Sequence, residues 1–142
     1  MHTKHMKGQS LVELAISLML ILILLTGAVE FSLALFQYVT IRDAAQEGAV
    51  YGSVNPDDLI GIQNRALAAA SDVLPQLTTD NVTRGFNGDD CEGLTGSTPN
   101  SLTVTVTFDH PITFPIIGPI IGRDTIHLSA SVTNTILFPR CE

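Results

Sequence analysis

Two cysteines are the residues of this chain that could form a covalent cross-link. Cys91 and Cys141 are the only cysteines in the sequence. In an oxidising compartment they could form a disulfide, which would close a loop of about 51 residues and stabilise the fold by roughly 4 kcal/mol in the chain-entropy model. We expect this bond within the chain, and pairing between two subunits is the alternative.

Metal-binding and catalytic motifs are otherwise missing from the sequence. Asp89 and Asp90 offer carboxylates in a turn-rich segment, 87–100, which does not have EF-hand spacing. His110 and His127 are isolated, outside any HExxH motif or Cys/His set. The sequence also lacks a nucleophile elbow, a Walker motif and a GxGxxG motif. It therefore predicts no catalytic residue, no metal site and no cofactor.

Two glutamates interrupt an apolar segment near the N-terminus. Residues 14–29 carry no charge, and the segment reaches the roughly 20 residues of a membrane span only when its flanks, with Glu13 and Glu30, are included. A charge at the centre of a membrane helix costs on the order of 2.5 to 3.5 kcal/mol. Because about 25 Å of helix separates the two glutamates, one can lie near each interface. We expect Glu30 among the outer headgroups or paired with a neighbouring subunit.

The charges on the two sides of this segment predict its orientation. Lys4 and Lys7 precede it, whereas the chain from Ile41 onward carries five arginines and twelve acids. A basic start before an apolar segment predicts a single-pass protein with its N-terminus in the cytoplasm. The whole chain has 7 Lys+Arg, 14 Asp+Glu and a net charge of -7, which argues against a nucleic-acid partner.

The residues before the apolar segment resemble a protease processing site. Lys7 and Gly8 are followed by Gln9 and, at the fifth place after the glycine, by Glu13. This pattern is similar to that of type IV prepilins, particularly the short-leader pilins of the tight-adherence (Flp/Tad) system, which prepilin peptidase cuts after the glycine. The resemblance implies a leader of residues 1–8 and a new ammonium group on Gln9. The Glu13 carboxylate of the same or an adjacent helix could neutralise that ammonium. Two alternatives are a secretory signal cut near 26–28 and an uncleaved signal anchor.

Helical periodicity continues beyond the apolar segment to about Gly52. A helix from Gln9 to that point is roughly 66 Å long, so it extends well outside a bilayer. We expect a transmembrane part at 9–36 and an exported extension at 37–54. Gly48 and Gly52 lie four residues apart on one face, which predicts close packing on a neighbouring element, with a subunit contact as the alternative.

Three blocks along this helix make the resemblance more specific. They are Glu13-Leu14-Ala15, residues 27–31 (GAVEF) and residues 43–52 (DAAQEGAVYG). In their order and spacing they resemble the TadE-like family, membrane-anchored pseudopilins of the tight-adherence pilus machinery. A Pro-aromatic-Pro segment within 111–122 and the residues 128–133 (LSASVT) extend the likeness toward the C-terminus.

The rest of the chain, 55–142, predicts a small exported α+β domain. Asn55 as cap and Pro56 at the first helical position predict a second helix, whose apolar stripe runs from Leu59 to Val73. Alternating residues predict antiparallel strands at 102–108 and 126–132, with a third at 81–86. The proline-containing segment 111–122 either covers the core or forms an apolar patch for lipid or a partner.

The resemblance implies a function without chemistry of its own. The chain is expected to be a TadE-like minor pseudopilin that takes part in pilus assembly, anchored in the bacterial inner membrane with its C-terminal domain outside, or in an extracellular pilus. Its expected partners are the membrane, prepilin peptidase and other pilins or pseudopilins. The alternatives are a major filament-forming subunit and a membrane-anchored binding domain or enzyme.

Overall fold

The structure, a computed structural model, describes residues 6–87, 101–115 and 117–137. A helix of 49 residues, α1 (Met6–Val54), is followed by α2 (Leu59–Ala70) and a 3-10 turn (Thr79–Asn81). The remaining elements, in chain order, are β1 (Val82–Asn87), β2 (Ser101–Pro111), α3 (Ile117–Ile121) and β3 (Thr125–Thr135). The predicted α+β class, with a long N-terminal helix, a second helix and an antiparallel sheet, is confirmed.

The three strands form one antiparallel sheet in the order β1-β2-β3. Val106 of β2 lies opposite both Val82 and Ala130. On β2 the even-numbered residues from Leu102 to His110 are buried, because the period of two turns them toward the helices. The other face carries Thr and Ser, whose hydroxyls bond across β2 and β3, as between Thr103 and Thr133 at 2.8 Å.

The helix α1 packs on the domain along a single stripe. The stripe begins at Glu30 and Ala34 and continues through Ile41 and Ala45 to Gly52. Its spacing of three and four residues keeps it on one side of the helix, against α2 and the sheet. The domain therefore contacts α1 from within the segment predicted to span the membrane, 9–36, to the end of the helix.

The second helix starts one turn later than predicted. Asn55 and Pro56 lie in a turn, in which the Asp58 N–H donates to the Asn55 carbonyl at 3.3 Å. The helix is capped by Asp58, which accepts a hydrogen bond from the Gly61 N–H at 2.9 Å. The predicted Asn55 cap is therefore wrong. The predicted stripe is buried at Ile62, with Ala66 and Ala70.

Gly48 and Gly52 lie where α1 approaches α2 and β2 most closely. A Cβ on Gly48 would lie 3.2 Å from Val104 Cγ1 and 3.3 Å from the Ile62 carbonyl oxygen. A Cβ on Gly52 would overlap Leu102 Cδ2, in the fully buried core. Both glycines thus allow a close approach of elements within this chain.

Replacing these glycines by alanine tests that packing. We expect Gly52→Ala to lower the free energy of unfolding by up to about 2 kcal/mol, because overpacking costs roughly 1 to 3 kcal/mol and the better helix propensity of alanine returns about 1 kcal/mol. Gly48→Ala should have a smaller effect than Gly52→Ala, because its Cβ requires Val104 and the Ile62 carbonyl to move by only a few tenths of an ångström. Thermal unfolding of the detergent-solubilised chain measures both variants, and a stabilising Gly52→Ala would contradict this account.

Candidate functional site

The N-terminal end of α1 presents the predicted processing residues on one exposed face. Gly8, Gln9 and Glu13 share this face with Val12, Ile16 and Ser17. Gln9 and Glu13 are four positions apart, so their side chains are neighbours on the helix surface. The Glu13 carboxylate is therefore open to an amino group on residue 9 of its own helix or of an adjacent one.

The next part of α1 has the length and composition of a membrane span. The apolar side chains from Leu11 to Val29 are exposed or half-buried, and the most apolar 18-residue window has 0% of its residues buried. Polar groups within it bond to the helix itself, as in the bond that Thr26 donates to the Ile23 carbonyl at 2.9 Å. A helix whose apolar surface lacks a protein cover suggests single-pass membrane anchoring.

Glu30 lies at the end of this exposed surface, and its carboxylate turns into the protein. It is only 3% exposed and contacts His110 Nε2 through Oε1 at 2.9 Å. The same oxygen accepts a hydrogen bond from the Thr113 N–H at 3.0 Å. His110 is 2% exposed, and its Nδ1 lies 2.6 Å from Gln37 Oε1. This Glu30 cluster (Glu30, Gln37, His110 and Thr113) joins α1 to the end of β2.

The protonation of His110 decides how the Glu30 cluster is satisfied. Each ring nitrogen of His110 faces an oxygen atom. A protonated ring, an imidazolium, can donate a hydrogen bond to both oxygens. Beside an ionised Glu30, a neutral ring forms hydrogen bonds at both nitrogens only if the Gln37 amide is turned so that its nitrogen faces Nδ1. Glu30 Oε2 is buried without a hydrogen-bond partner among the described residues. An ionised Glu30 therefore depends on His110 for its charge compensation, and loss of the imidazole would leave a buried carboxylate unpaired.

The Glu30 cluster was not predicted from the sequence. Glu30 was expected among headgroups or against a neighbouring subunit, and the structure instead provides its partners from the same chain. His110, which the sequence places outside any metal-binding motif, reaches α1 because β2 is longer than expected. His127 also has a partner, the exposed Asp109, at 2.7 Å. The alternation of β2 contained the signal for His110, which follows Val104, Val106 and Phe108 on the buried face.

The proline-containing segment forms an apolar groove beside α1. We call this the α1–α3 groove; its volume is about 470 Å³. Its lining comes from α1 (Ile23, Gly27, Glu30, Phe31, Ala34, Leu35, Tyr38), α3 (Ile117, Ile120, Ile121) and β3 (Ile126, Leu128). Ile120 is 69% and Ile121 52% exposed, so α3 leaves much of its apolar surface open.

At the other end of α1, Asp58 ties the two helices and β1 together. Its Oδ2 accepts a hydrogen bond from the Tyr51 hydroxyl at 2.7 Å, and Arg84 of β1 donates to the Pro56 carbonyl in the adjoining turn. The hydrogen bonds from the Gly61 N–H and then from the Tyr51 hydroxyl lower the pKa of Asp58 from its ordinary 3.8; burial opposes them, and the charge of Arg84 adds the smallest effect, also a lowering one.

Some predicted features lie outside the described residues. These are both cysteines of the expected disulfide, Cys91 and Cys141, and the carboxylates Asp89 and Asp90. Within residues 6–87, 101–115 and 117–137, no three His, Cys, Asp or Glu side chains are grouped so that they could hold a metal ion.

Comparison with known proteins finds one family. The family described as TadE-like protein matches residues 8–50, which contain Gly8, Glu13, Glu30 and Gly48. This confirms the resemblance for α1, while the likeness within 111–133 is not part of the match. The family is not one of enzymes, and it suggests a protein associated with the tight-adherence pilus. No curated protein and no solved structure matches the chain.

The Glu30 cluster makes a testable prediction about stability. His110→Leu should lower the free energy of unfolding by about 3 to 5 kcal/mol, because it leaves the Glu30 carboxylate buried without its partner. The double variant Glu30→Leu with His110→Leu should recover more than half of that loss, because it removes both polar groups. Chemical unfolding of the solubilised chain compares the variants. With the single variant Glu30→Leu these form a double-mutant cycle, and a loss in the double variant equal to the sum of the two single losses would show that the pair is not coupled.

Asp58 predicts an acid-dependent contribution to stability. Because its pKa is lower in the folded chain than in the unfolded one, the stabilisation is complete above pH 3.8 and is lost as the pH falls through the folded-state value. Asp58→Asn keeps a side-chain oxygen for the Gly61 N–H but does not titrate. The melting temperatures of the two chains should therefore converge as the pH falls below roughly 4. A constant difference at all pH values would exclude the contribution.

Proposed function

We propose that this chain is a minor pseudopilin of a tight-adherence pilus, held in the inner membrane by α1 and processed by prepilin peptidase after Gly8. The observation that carries the proposal is the TadE-like match at residues 8–50, which begins at the proposed cleavage site and covers the exposed apolar surface of α1. In this function the chain assembles with other subunits and does no chemistry.

The processing step follows from the charges at the N-terminal end of α1. Cleavage after Gly8 removes Lys4 and Lys7 and leaves an ammonium group on Gln9, one helical turn from Glu13. An ammonium and a carboxylate together are less costly to bring into an apolar environment than either is alone. Glu13 therefore supports docking of the mature helix against neighbouring subunits, and the apolar side chains from Leu14 to Leu35 provide the contact.

The path of α1 favours this proposal over a secretory signal cut near 26–28. The helix continues without a break through Thr26, Gly27 and Ala28. Ile23 and Gly27 lie beside the residues of α3 that line the α1–α3 groove. Cleavage there would remove part of the α1 wall of this groove.

The arrangement of the domain favours a minor component over a major filament subunit. From Glu30 to Gly52 one side of α1 is covered by α2 and the sheet of its own chain. Only the remaining sides of that part and the part from Leu11 to Val29, whose side chains are exposed or half-buried, are open to other helices. Regular polymers of the purified chain, formed without other pilins, would instead indicate a major subunit.

Processing is tested by intact mass and N-terminal sequencing of the chain from membranes with active prepilin peptidase. We expect the N-terminus at Gln9 in the natural chain and in the control Gly8→Ala, which keeps a small residue at the cleavage site. Gly8→Arg should accumulate with Met1 retained, because the arginine does not fit where the peptidase takes glycine. An N-terminus at Val29 would indicate a secretory signal, and Met1 on the natural chain an uncleaved anchor. A Gly8→Arg chain that still lost its leader would contradict the cleavage site.

A further inference from the structure

The geometry points to a second membrane contact: we propose that α3 lies in the outer leaflet and that lipid acyl chains occupy the α1–α3 groove. The exported domain would then enter the bilayer beside its own anchor. The inference rests on the proposed membrane anchoring by α1, and the experiment below separates the failure of one from the failure of the other.

The depth of α3 follows from its position along α1. A hydrocarbon core of about 30 Å takes roughly 20 helical residues. A span that starts at Leu11 ends near Glu30, and one that starts at Leu14 ends near Leu33. In both cases Gly27 lies in the outer half of the bilayer. Because α3 lines the groove together with α1 residues from Ile23 to Tyr38, it lies beside the outer half of the span and the first turns beyond it.

The exposed side chains of α3 are apolar, as contact with the hydrocarbon of a bilayer requires. Ile120 and Ile121 are more than half exposed, and they lie beside the apolar side chains of α1 that line the same groove. Glu30, which also lines the groove, turns its Oε1 inward to His110 and Thr113. The nearest charged residues after α3 are Arg123 and Asp124, beyond Gly122, whose φ of 69° redirects the chain. An arginine at this place can reach the headgroups.

The backbone of the segment also suits a site with little water. Membrane interiors exclude unsatisfied N–H groups. Pro111, Pro115 and Pro119 have no N–H group. The Gly122 and Arg123 N–H groups both bond to the Gly118 carbonyl, at 2.8 and 3.2 Å, and the Ile112 N–H bonds to the Asp124 carbonyl at 2.9 Å. The prolines that prevent a regular strand here thus also reduce the cost of burying irregular backbone.

Continuity with the anchor identifies lipid as the occupant. One wall of the groove is α1 itself, and that wall leads without a charged residue toward Leu14, along the surface that has the length of a bilayer. Acyl chains that surround α1 therefore reach the groove directly. They fill it without requiring a partner of complementary shape.

The natural chain contains no tryptophan, so single tryptophans can report contact with lipid. The full chain is reconstituted into phosphatidylcholine–phosphatidylglycerol vesicles whose acyl chains are brominated, and its emission is compared with that in unbrominated vesicles. Ile120→Trp tests α3, and Ile121→Trp is a second reporter of the same surface. Ile60→Trp on α2 is the matched control, because Ile60 and Ile120 are both 69% exposed. Leu20→Trp reports whether α1 is in the bilayer.

We expect brominated lipid to remove half or more of the emission of Ile120→Trp, Ile121→Trp and Leu20→Trp, and to leave that of Ile60→Trp unchanged. Quenching of Leu20→Trp without quenching at Ile120 and Ile121 would overturn this inference and leave the anchoring by α1 intact. An unquenched Leu20→Trp would overturn the anchoring itself. Emission from Ile120→Trp that is blue-shifted but unquenched would show that protein, such as a second copy, covers α3, and would also overturn the inference. Circular dichroism confirms that each variant has the helix content of the natural chain.

Discussion

The hydrogen bonds between Glu30, His110 and the Thr113 backbone hold the domain against the end of the apolar surface of α1. At this point the environment of the helix changes. Before Glu30 its side chains are exposed or half-buried, and after it one stripe is buried under the sheet and α2. A carboxylate at this depth is acceptable because the same chain provides a donor for it and covers it. The cluster thereby determines how far the domain reaches along the anchor.

The small residues of the stripe have a related structural consequence. Alanines and glycines from Ala34 to Gly52 bring the backbone of α1 close to β2 and α2, which gives a close contact over roughly 30 Å of helix. Such a contact couples the orientation of the domain to that of the helix. A rotation or tilt of α1 in the membrane would therefore move the sheet, and the open faces of the domain would follow the anchor as a rigid extension. This coupling would transmit contacts made by the helix to the domain that it carries.

The periodic parts of the sequence predicted most of the fold. The helix from the apolar segment to Gly52, the antiparallel strands and their buried faces all follow from spacing, because amphipathic periods report which side meets a core. The start of α2 was missed by one turn because Asp58 competes with Asn55 as a cap, and only the contacts of Asp58 with Gly61 and Tyr51 decide between them. The Glu30 cluster was also missed, since its two acid-base groups are eighty positions apart in the chain. Their pairing depends on how β2 is placed along α1, which local spacing does not contain.

The behaviour of the glutamates shows why a charge in an apolar segment needs its tertiary context. Glu13 and Glu30 lie in similar surroundings in the sequence, each beside long apolar runs. In the structure Glu13 is exposed on the open face of α1, whereas Glu30 is buried and bonded within the chain. An exposed carboxylate at the edge of an apolar surface is available to another molecule or to a new chain terminus. A buried, bonded one is committed to its own fold. The two residues therefore differ in what they can do: Glu13 is exposed and free to contact another group, whereas Glu30 joins α1 to the domain that it carries.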